Sequence, residues 1–304
     1  MTGQIHWGVN NIYAVSTEAG ILECRFKGKV LKDVEDHYNP LAPGDLVELE
    51  IDDPLSMQGL IVRRLPRKNI YCRWNIKRQM PQVFAANLDL LVILTTPAHP
   101  PFRPRFLDRA VVLAQSAGIP TAIFCNKSDM GIDELTEDRL AWFQELGVDV
   151  LTCSASSGEG IEDVKDYLKG KLAAFVGQSG VGKSSVFNAL VPGGRQRVGE
   201  LSAKHDRGSH TTNYALLVPW EGGGLIDTPG IRDLEVFGMD PDQLQFYFPE
   251  FDKYGTQCSF QPCSHRHEPG CKVLEAVKKG EILDDRWESY LRILEELEGR
   301  NNHG

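Results

Sequence analysis

The segment GQSGVGKSS (177–185) satisfies G-x-x-x-x-G-K-S and follows KLAAFVG, an apolar run that reads as a buried strand. In that setting glycines let backbone N–H groups face phosphate oxygens, and the next helix turns its positive end toward them. Gly177, Gln178, Ser179, Gly180, Val181, Gly182 and Ser185 form the expected cradle. Lys183 is placed to reach the β- and γ-phosphates and Ser184 to ligate Mg²⁺. The strongest constraint on the fold lies upstream. FCNKSD (124–129) ends another apolar run with a tetrad, Asn126, Lys127 and Asp129 around a serine, of the kind that reads guanine. Such a tetrad ordinarily follows the phosphate loop; here it precedes it. Either one motif is accidental or the chain is joined in an unusual order.

The remaining loops decide between these. CSASSG follows the tetrad one strand later and brings Ser154 and Ala155 near the guanine O6. GGGLIDTPG, downstream of the phosphate loop, reads as a strand ending in Asp-x-x-Gly: Asp227 holds Mg²⁺ through water and the Gly230 N–H senses the γ-phosphate. Between them, GGRQRVGELSAKHDRGSHTTNY carries Thr211 and Thr212, either of which completes the Mg²⁺ shell. The order is thus tetrad, small loop, phosphate loop, threonine, Asp-x-x-Gly. Moving the first two behind the last three restores the ordinary order. A sheet tolerates this circular permutation because the site depends on where strand ends lie, not on which strand is made first. Asp129 would accept bonds from the ring N–H and exocyclic amine that adenine lacks, so GTP and GDP are the expected nucleotides.

The surrounding sequence divides in three. Residues 1–70 hold short β-type runs, NIYAVST, GILECRFKG, DLVELEID and QGLIVRRL, separated by turn formers. They suggest a small barrel, OB-type by size, with an SH3-like barrel as the alternative. Residues 71–240 hold strand–helix alternation with continuous apolar strands, which implies a parallel α/β sheet. Residues 241–304 hold a Cys/His-rich stretch and then a long amphipathic acidic helix. The fold class expected is α/β: a circularly permuted P-loop GTPase domain between an N-terminal OB-type β-barrel and a C-terminal zinc-binding, helical domain.

No apolar stretch approaches the ~20 residues of a membrane span, and MTGQIHWGVNN lacks the form of a signal peptide. Seven cysteines, an odd number, suit a reducing cytoplasm. The net charge of −9 argues mildly against nucleic acid, but Arg63, Arg64, Arg67, Lys68, Arg73, Lys77 and Arg78 run without an acid, with Tyr71 and Trp74 among them. Such a strip either neutralises phosphates and stacks on bases or is a solvated linker.

CSFQPCSHRHEPGC places Cys258, Cys263, a histidine (His265 or His267) and Cys271 within one short segment. These are donors that tetrahedral structural Zn²⁺ favours, with no position left open for catalysis; a redox thiol cluster is the alternative. The other cysteines, Cys24, Cys72, Cys125 and Cys153, fall in apolar runs or linkers and read as small buried hydrophobes.

Permuted order, leading barrel and trailing Cys/His knuckle together resemble the RsgA (YjeQ/YloQ) family of ribosome small-subunit-dependent GTPases, over essentially the whole chain. The resemblance implies GTP hydrolysis stimulated by the 30S subunit and its 16S rRNA, late in assembly, with release of maturation factors. It implies GTP/GDP, Mg²⁺ and one structural Zn²⁺, favours His265 as the histidine ligand, and implies a catalytic role for His210 in GSHTT. A monomer away from membranes is expected.

Ile231 stands directly after Asp-x-x-Gly, where many GTPases have a water-orienting Gln, and Gly180 stands where potassium-assisted GTPases carry Asn. His210 beside the threonine pair is therefore the candidate to position water, against the alternative of an exposed loop histidine. Slow intrinsic turnover is expected. A GTP-holding rRNA scaffold with little hydrolysis, and an RNA-modifying or transport enzyme, are the competing functions.

Overall fold

The computed structural model describes residues 1–26, 37–51, 57–193, 214–230 and 234–301. Strands β1 (Thr2–Val9), β2 (Ile12–Thr17), β3 (Gly20–Phe26), β4 (Leu46–Glu50) and β5 (Gln58–Arg64) close into a barrel of order β1-β2-β3-β5-β4. The β3–β5 pair is parallel and the others antiparallel, the OB-type closure rather than an SH3-like one. Ile5, Val15, Leu22, Val47, Leu49 and Ile61 fill its interior. The four β-type runs read from the sequence omit β1, because a bulge between Ile5 and Trp7 breaks its alternation. Beyond that bulge Trp7 joins Ala14 in the core of the next domain, so the barrel is docked rather than tethered.

The basic strip is neither a bare linker nor a free patch. It covers the end of β5 and leads into a two-stranded hairpin, β6 (Ile70–Asn75) and β7 (Met80–Ala86). Arg67 is buried in a bidentate pair with Asp45 at 2.6 and 2.7 Å, and Asp45 also accepts the Ala42 N–H. Arg73 lies over the Phe84 ring and Arg78 over Tyr38. Arg63, Lys68, Lys77 and Arg78 remain exposed.

The central sheet has the order β10-β9-β8-β11-β13-β12. Its members are β8 (Leu90–Thr95), β9 (Thr121–Cys125), β10 (Asp149–Thr152), β11 (Leu172–Gly177), β12 (Leu216–Trp220) and β13 (Gly223–Asp227). All pairs are parallel except β12–β13, where the expected all-parallel sheet gains an antiparallel edge. Its cause is a two-residue turn, Glu221–Gly222, with φ of 44° and 78°, the left-handed backbone a tight hairpin requires. The chain runs outward from β8 through β9 to β10, then returns through α3 (Ile161–Leu168) to set β11 beside β8. Strand order reverses there, and ligands of open α/β sheets bind at the carboxyl ends of such a pair.

Helices α1 (Pro104–Ser116) and α2 (Glu134–Glu145) share one face of the sheet with the C-terminal module, while α3 and α4 (Lys183–Leu190) share the other with the barrel. The C-terminal module comprises 3-10 turns at Pro241–Tyr247 and Pro249–Phe251, then α5 (Asp252–Gly255), α6 (Lys272–Lys278) and α7 (Asp284–Asn301). The acidic helix α7 docks on α1, with Arg105–Glu288 and Arg109–Glu296 among the ion pairs between them.

A buried ion cluster locks this joint. Asp108 of α1 is fully buried and takes both oxygens' bonds from Arg139 of α2 at 2.8 Å, and one from Arg286 of α7 at 2.7 Å. Arg286 also holds Glu250 at 2.6 Å and lies over the Phe248 ring. Burial pulls the Arg286 guanidinium down, but Asp108 and Glu250 outweigh it and hold the group above its ordinary value. Removing one member of a buried pair leaves an uncompensated charge and costs about 3–5 kcal/mol. Asp108→Ala should therefore lose about that much stability, read as a lowered denaturation midpoint. An unchanged midpoint would show that the cluster does not hold the module in place.

Candidate functional site

Four loops converge at the carboxyl ends of the strands. The phosphate loop leaves β11 at Gly177 and enters α4 at Lys183, with Gly180 and Gly182 at φ of 88° and 90°. A side chain at Gly182 would also strike the Asn126 amide, whose nitrogen lies 2.2 Å from the added Cβ. One at Gly177 would meet the Leu94 carbonyl of β8 at 2.6 Å. Glycine is required at both by close approach. Lys183 is buried and folds back on its own loop, donating to the Gly177 carbonyl at 3.0 Å. Ser179, Gly180, Ser184 and Ser185 are exposed on the loop's outer face, whereas Gln178 and Val181 are buried.

The tetrad that follows β9 is built into this loop. Asn126 is buried; its amide donates to the Val181 carbonyl at 2.9 Å and its oxygen accepts the Ala155 N–H at 3.0 Å. One side chain thus joins tetrad, phosphate loop and the small loop after β10. Lys127, at φ 66°, donates to the Gly180 carbonyl at 2.8 Å and to that of His99. Asp129 is exposed and accepts the Ser154 hydroxyl at 2.5 Å, which fixes the carboxylate at the rim. On the far side Asp227 is buried at the end of β13. Gly230 lies over the phosphate loop: a Cβ there would be 3.4 Å from the Lys183 amine.

Two contributors are absent from the motif reading. Thr228 is buried and donates to the Phe175 carbonyl of β11 at 2.6 Å, tying Asp-Thr-Pro-Gly to the phosphate-loop strand. The β8 loop brings Pro100 against Gly180, so TTPAHPP forms a wall of the site. Its proline-rich composition reads only as a turn. His210, Thr211, Thr212 and Ile231 lie outside the described residues.

A second cluster lies in the C-terminal module. The ligand atoms of Cys258, Cys263, His265 and Cys271 all fall within 4.8 Å of one another, and all four residues are buried. The His265 Nδ1 is 3.4 Å from Cys271 Sγ and 3.8 Å from Cys258 Sγ, and the two sulfurs are 3.9 Å apart. These separations suit a tetrahedron with metal–sulfur bonds of about 2.3 Å. His267 is exposed and outside the cluster. Burial pushes the Cys263 thiol up to about 12 and holds His265 below its ordinary value. Packed this closely, the thiolates need a cation to carry their charge, and the donor set fits zinc. The other His265 nitrogen faces Gln245 Oε1 at 3.2 Å, the outer contact that fixes a ligating imidazole.

Glu268, also missing from the motif reading, braces the knuckle by accepting the Ser264 N–H and hydroxyl and the N–H groups of Arg266 and His267. Burial pushes its carboxyl up, but these donors outweigh burial and pull it down to about 2. Trp287 and Tyr290 of α7 anchor the knuckle through the carbonyls of His265 and Ser264.

Two outcomes follow. Asn126→Ala orphans the Val181 carbonyl and the Ala155 N–H, at about 1–3 kcal/mol each when buried, so GDP affinity by titration calorimetry should fall roughly tenfold or more. An unchanged affinity would remove Asn126 from the site. Metal analysis should find one zinc per chain, lost in His265→Ala and kept in His267→Ala; the reverse pattern would refute the geometry.

The comparisons agree along the whole chain. The model described as RsgA N-terminal domain matches residues 2–61 and that described as RsgA GTPase matches 64–237. A protein of Borreliella afzelii, named small ribosomal subunit biogenesis GTPase RsgA, is 38% identical over 99% of this chain and 97% of its own. One of Chlorobaculum tepidum with the same name is 37% identical over 94% of each. Among solved structures, YjeQ from Thermotoga maritima superposes with TM-score 0.74 at 32% identity, covering 98% of both chains. YloQ, described as a circularly permuted GTPase, gives TM-score 0.70 at 28% identity over 98% of this chain and 95% of its own. With its four loops assembled in permuted order on one sheet, the chain belongs to the RsgA family and is a GTP hydrolase.

Proposed function

We propose that this GTPase acts on the small ribosomal subunit, hydrolysing GTP faster when bound to it, late in subunit assembly, and releasing assembly factors as it does so. The observation that carries the reading is the Asn126 bridge between tetrad, small loop and phosphate loop, joined to the ribosomal role in the relatives' names. Residues 1–70 and the hairpin would grip 16S rRNA through exposed Arg63, Lys68, Lys77 and Arg78. Residues 71–240 would carry hydrolysis, and 241–304 would form a zinc-stapled support. No helix among the described residues is long and apolar enough to cross a membrane; following the ribosomal role in the relatives' names, a cytoplasmic monomer away from membranes is the form proposed.

In the site, Asp129 and Asn126 take the guanine edge beside Ser154 and Ala155, and the loop from Gly177 to Ser185 cradles the phosphates. Lys183 exchanges its loop carbonyls for β- and γ-phosphate oxygens. Ser184, Asp227 and Thr211 or Thr212 would hold Mg²⁺, which when bound neutralises charge on the bridging phosphates. The Gly230 N–H faces the γ-phosphate. Water attacks γ-phosphorus, the bond to the β–γ bridging oxygen breaks, and GDP and phosphate result. His210 orients that water in place of the glutamine that Ile231 supplants.

One feature favours a second reading, a GTP-binding rRNA scaffold with little hydrolysis: Ile231 offers the water no polar contact. Turnover of GTP and ATP by the pure protein, with and without 30S subunits, separates the two. GTP-only turnover that rises strongly with 30S and collapses in His210→Ala is expected. Stimulation surviving that substitution would remove His210 from the chemistry, and no stimulation would leave the scaffold.

A further inference from the structure

We infer that Arg300, acting with Glu235 and Trp74, is a positioning residue for GTP hydrolysis: it fixes residues 234–237 from outside the nucleotide site. Three of these four consecutive residues are each held by a different element. Leu234 and Val236 are buried in the core. The Leu234 carbonyl accepts from Arg109 of α1 at 3.2 Å, and Arg109 is itself paired with Glu296 of α7 at 2.5 Å. Glu235 is ion-paired with Arg300 in the last turn of α7. Phe237 packs on Trp74 of the β6–β7 hairpin, ring centroids 5.6 Å apart. Arg300 closes the circuit, its guanidinium lying 4.9 Å from the Trp74 ring centroid.

The arrangement borders the phosphate loop. Gln178, buried in that loop, lines a cleft of about 700 Å³ together with Phe102, Arg103, Leu234, Glu235 and Arg300. Gly230 lies beside Lys183, Asp227 ends the strand paired with β11, and Leu234 follows Gly230 by four sequence positions. Half-exposed ion pairs add little stability. If Arg300 served only the fold, its loss would be nearly silent. As one arm of a clamp on the catalytic segment, its loss slows the chemistry without touching guanine or phosphate contacts.

The inference rests on GTP hydrolysis alone and not on ribosomal stimulation, so it is tested without ribosomes, by single-turnover hydrolysis with the full-length chain. Arg300→Ala should lower the rate three- to tenfold while GTP affinity stays within twofold. The double variant Glu235→Gln/Arg300→Ala should lose no more than either single one. Trp74 supplies the readout that a purely structural role would not move. The fluorescence difference between wild type and Trp74→Phe should change when GDP is replaced by a non-hydrolysable GTP analogue, and that change should vanish in Arg300→Ala. A wild-type rate in Arg300→Ala, losses that add in the double variant, or a Trp74 signal indifferent to the nucleotide would each overturn the inference.

Discussion

One buried amide holds the permuted site together. The Asn126 side chain spans from the tetrad after β9 to the phosphate loop after β11 and to the small loop after β10. Those loops come from opposite directions along the chain, and covalent order places the tetrad before the phosphate loop. Parallel pairing of β8 with β11 brings them to one crevice regardless. The permutation costs the site nothing because its geometry is set by strand neighbours, and α3 merely makes the crossover. Gly182 records how tight the seam is, since any side chain there would collide with the amide.

The C-terminal module depends on a different kind of contact. It shares a hydrophobic core with α1 and α2, and Asp108, Arg139, Arg286 and Glu250 form an ion network through that core. Such a cluster adds little net stability over apolar packing but penalises any arrangement that separates its members. The Cys/His knuckle and the catalytic domain are therefore joined through one continuous core. The exchangeable contacts lie instead at the rim, where half-exposed arginines of α1 and α7 meet the segment after Asp-Thr-Pro-Gly.

What was legible in the sequence follows from range. Phosphate loop, tetrad, small loop, Asp-Thr-Pro-Gly and the Cys/His segment are local patterns, each supplying its residues within one turn or knuckle. The strands β8 to β11 and the helices around them show their apolar periods directly. Features that depend on distant partners did not show. Asp108 and Arg286 are far apart in the chain, and an arginine in DDRWESYL looks like a solvated helix face until α1 is packed against it. Arg67 counted as part of a basic strip, yet it is buried on Asp45. Strand β6 was hidden in that strip, and β1 was hidden by its bulge. Thr228 and Glu268 lie within recognised motifs, but their roles are hydrogen bonds to groups the motif does not name.

The reading proposed for the permuted loops is a single guanine-recognising site. Calorimetric titration of the wild type and Asp129→Asn with GDP, ADP and xanthosine diphosphate tests it. The wild type should bind GDP well and ADP hardly at all. The variant, with an amide donor in place of the carboxylate acceptor, should turn to xanthosine diphosphate, whose 2-carbonyl accepts where guanine's amine donates. Equal binding of ADP and GDP by the wild type, or a variant whose preference does not move, would contradict it.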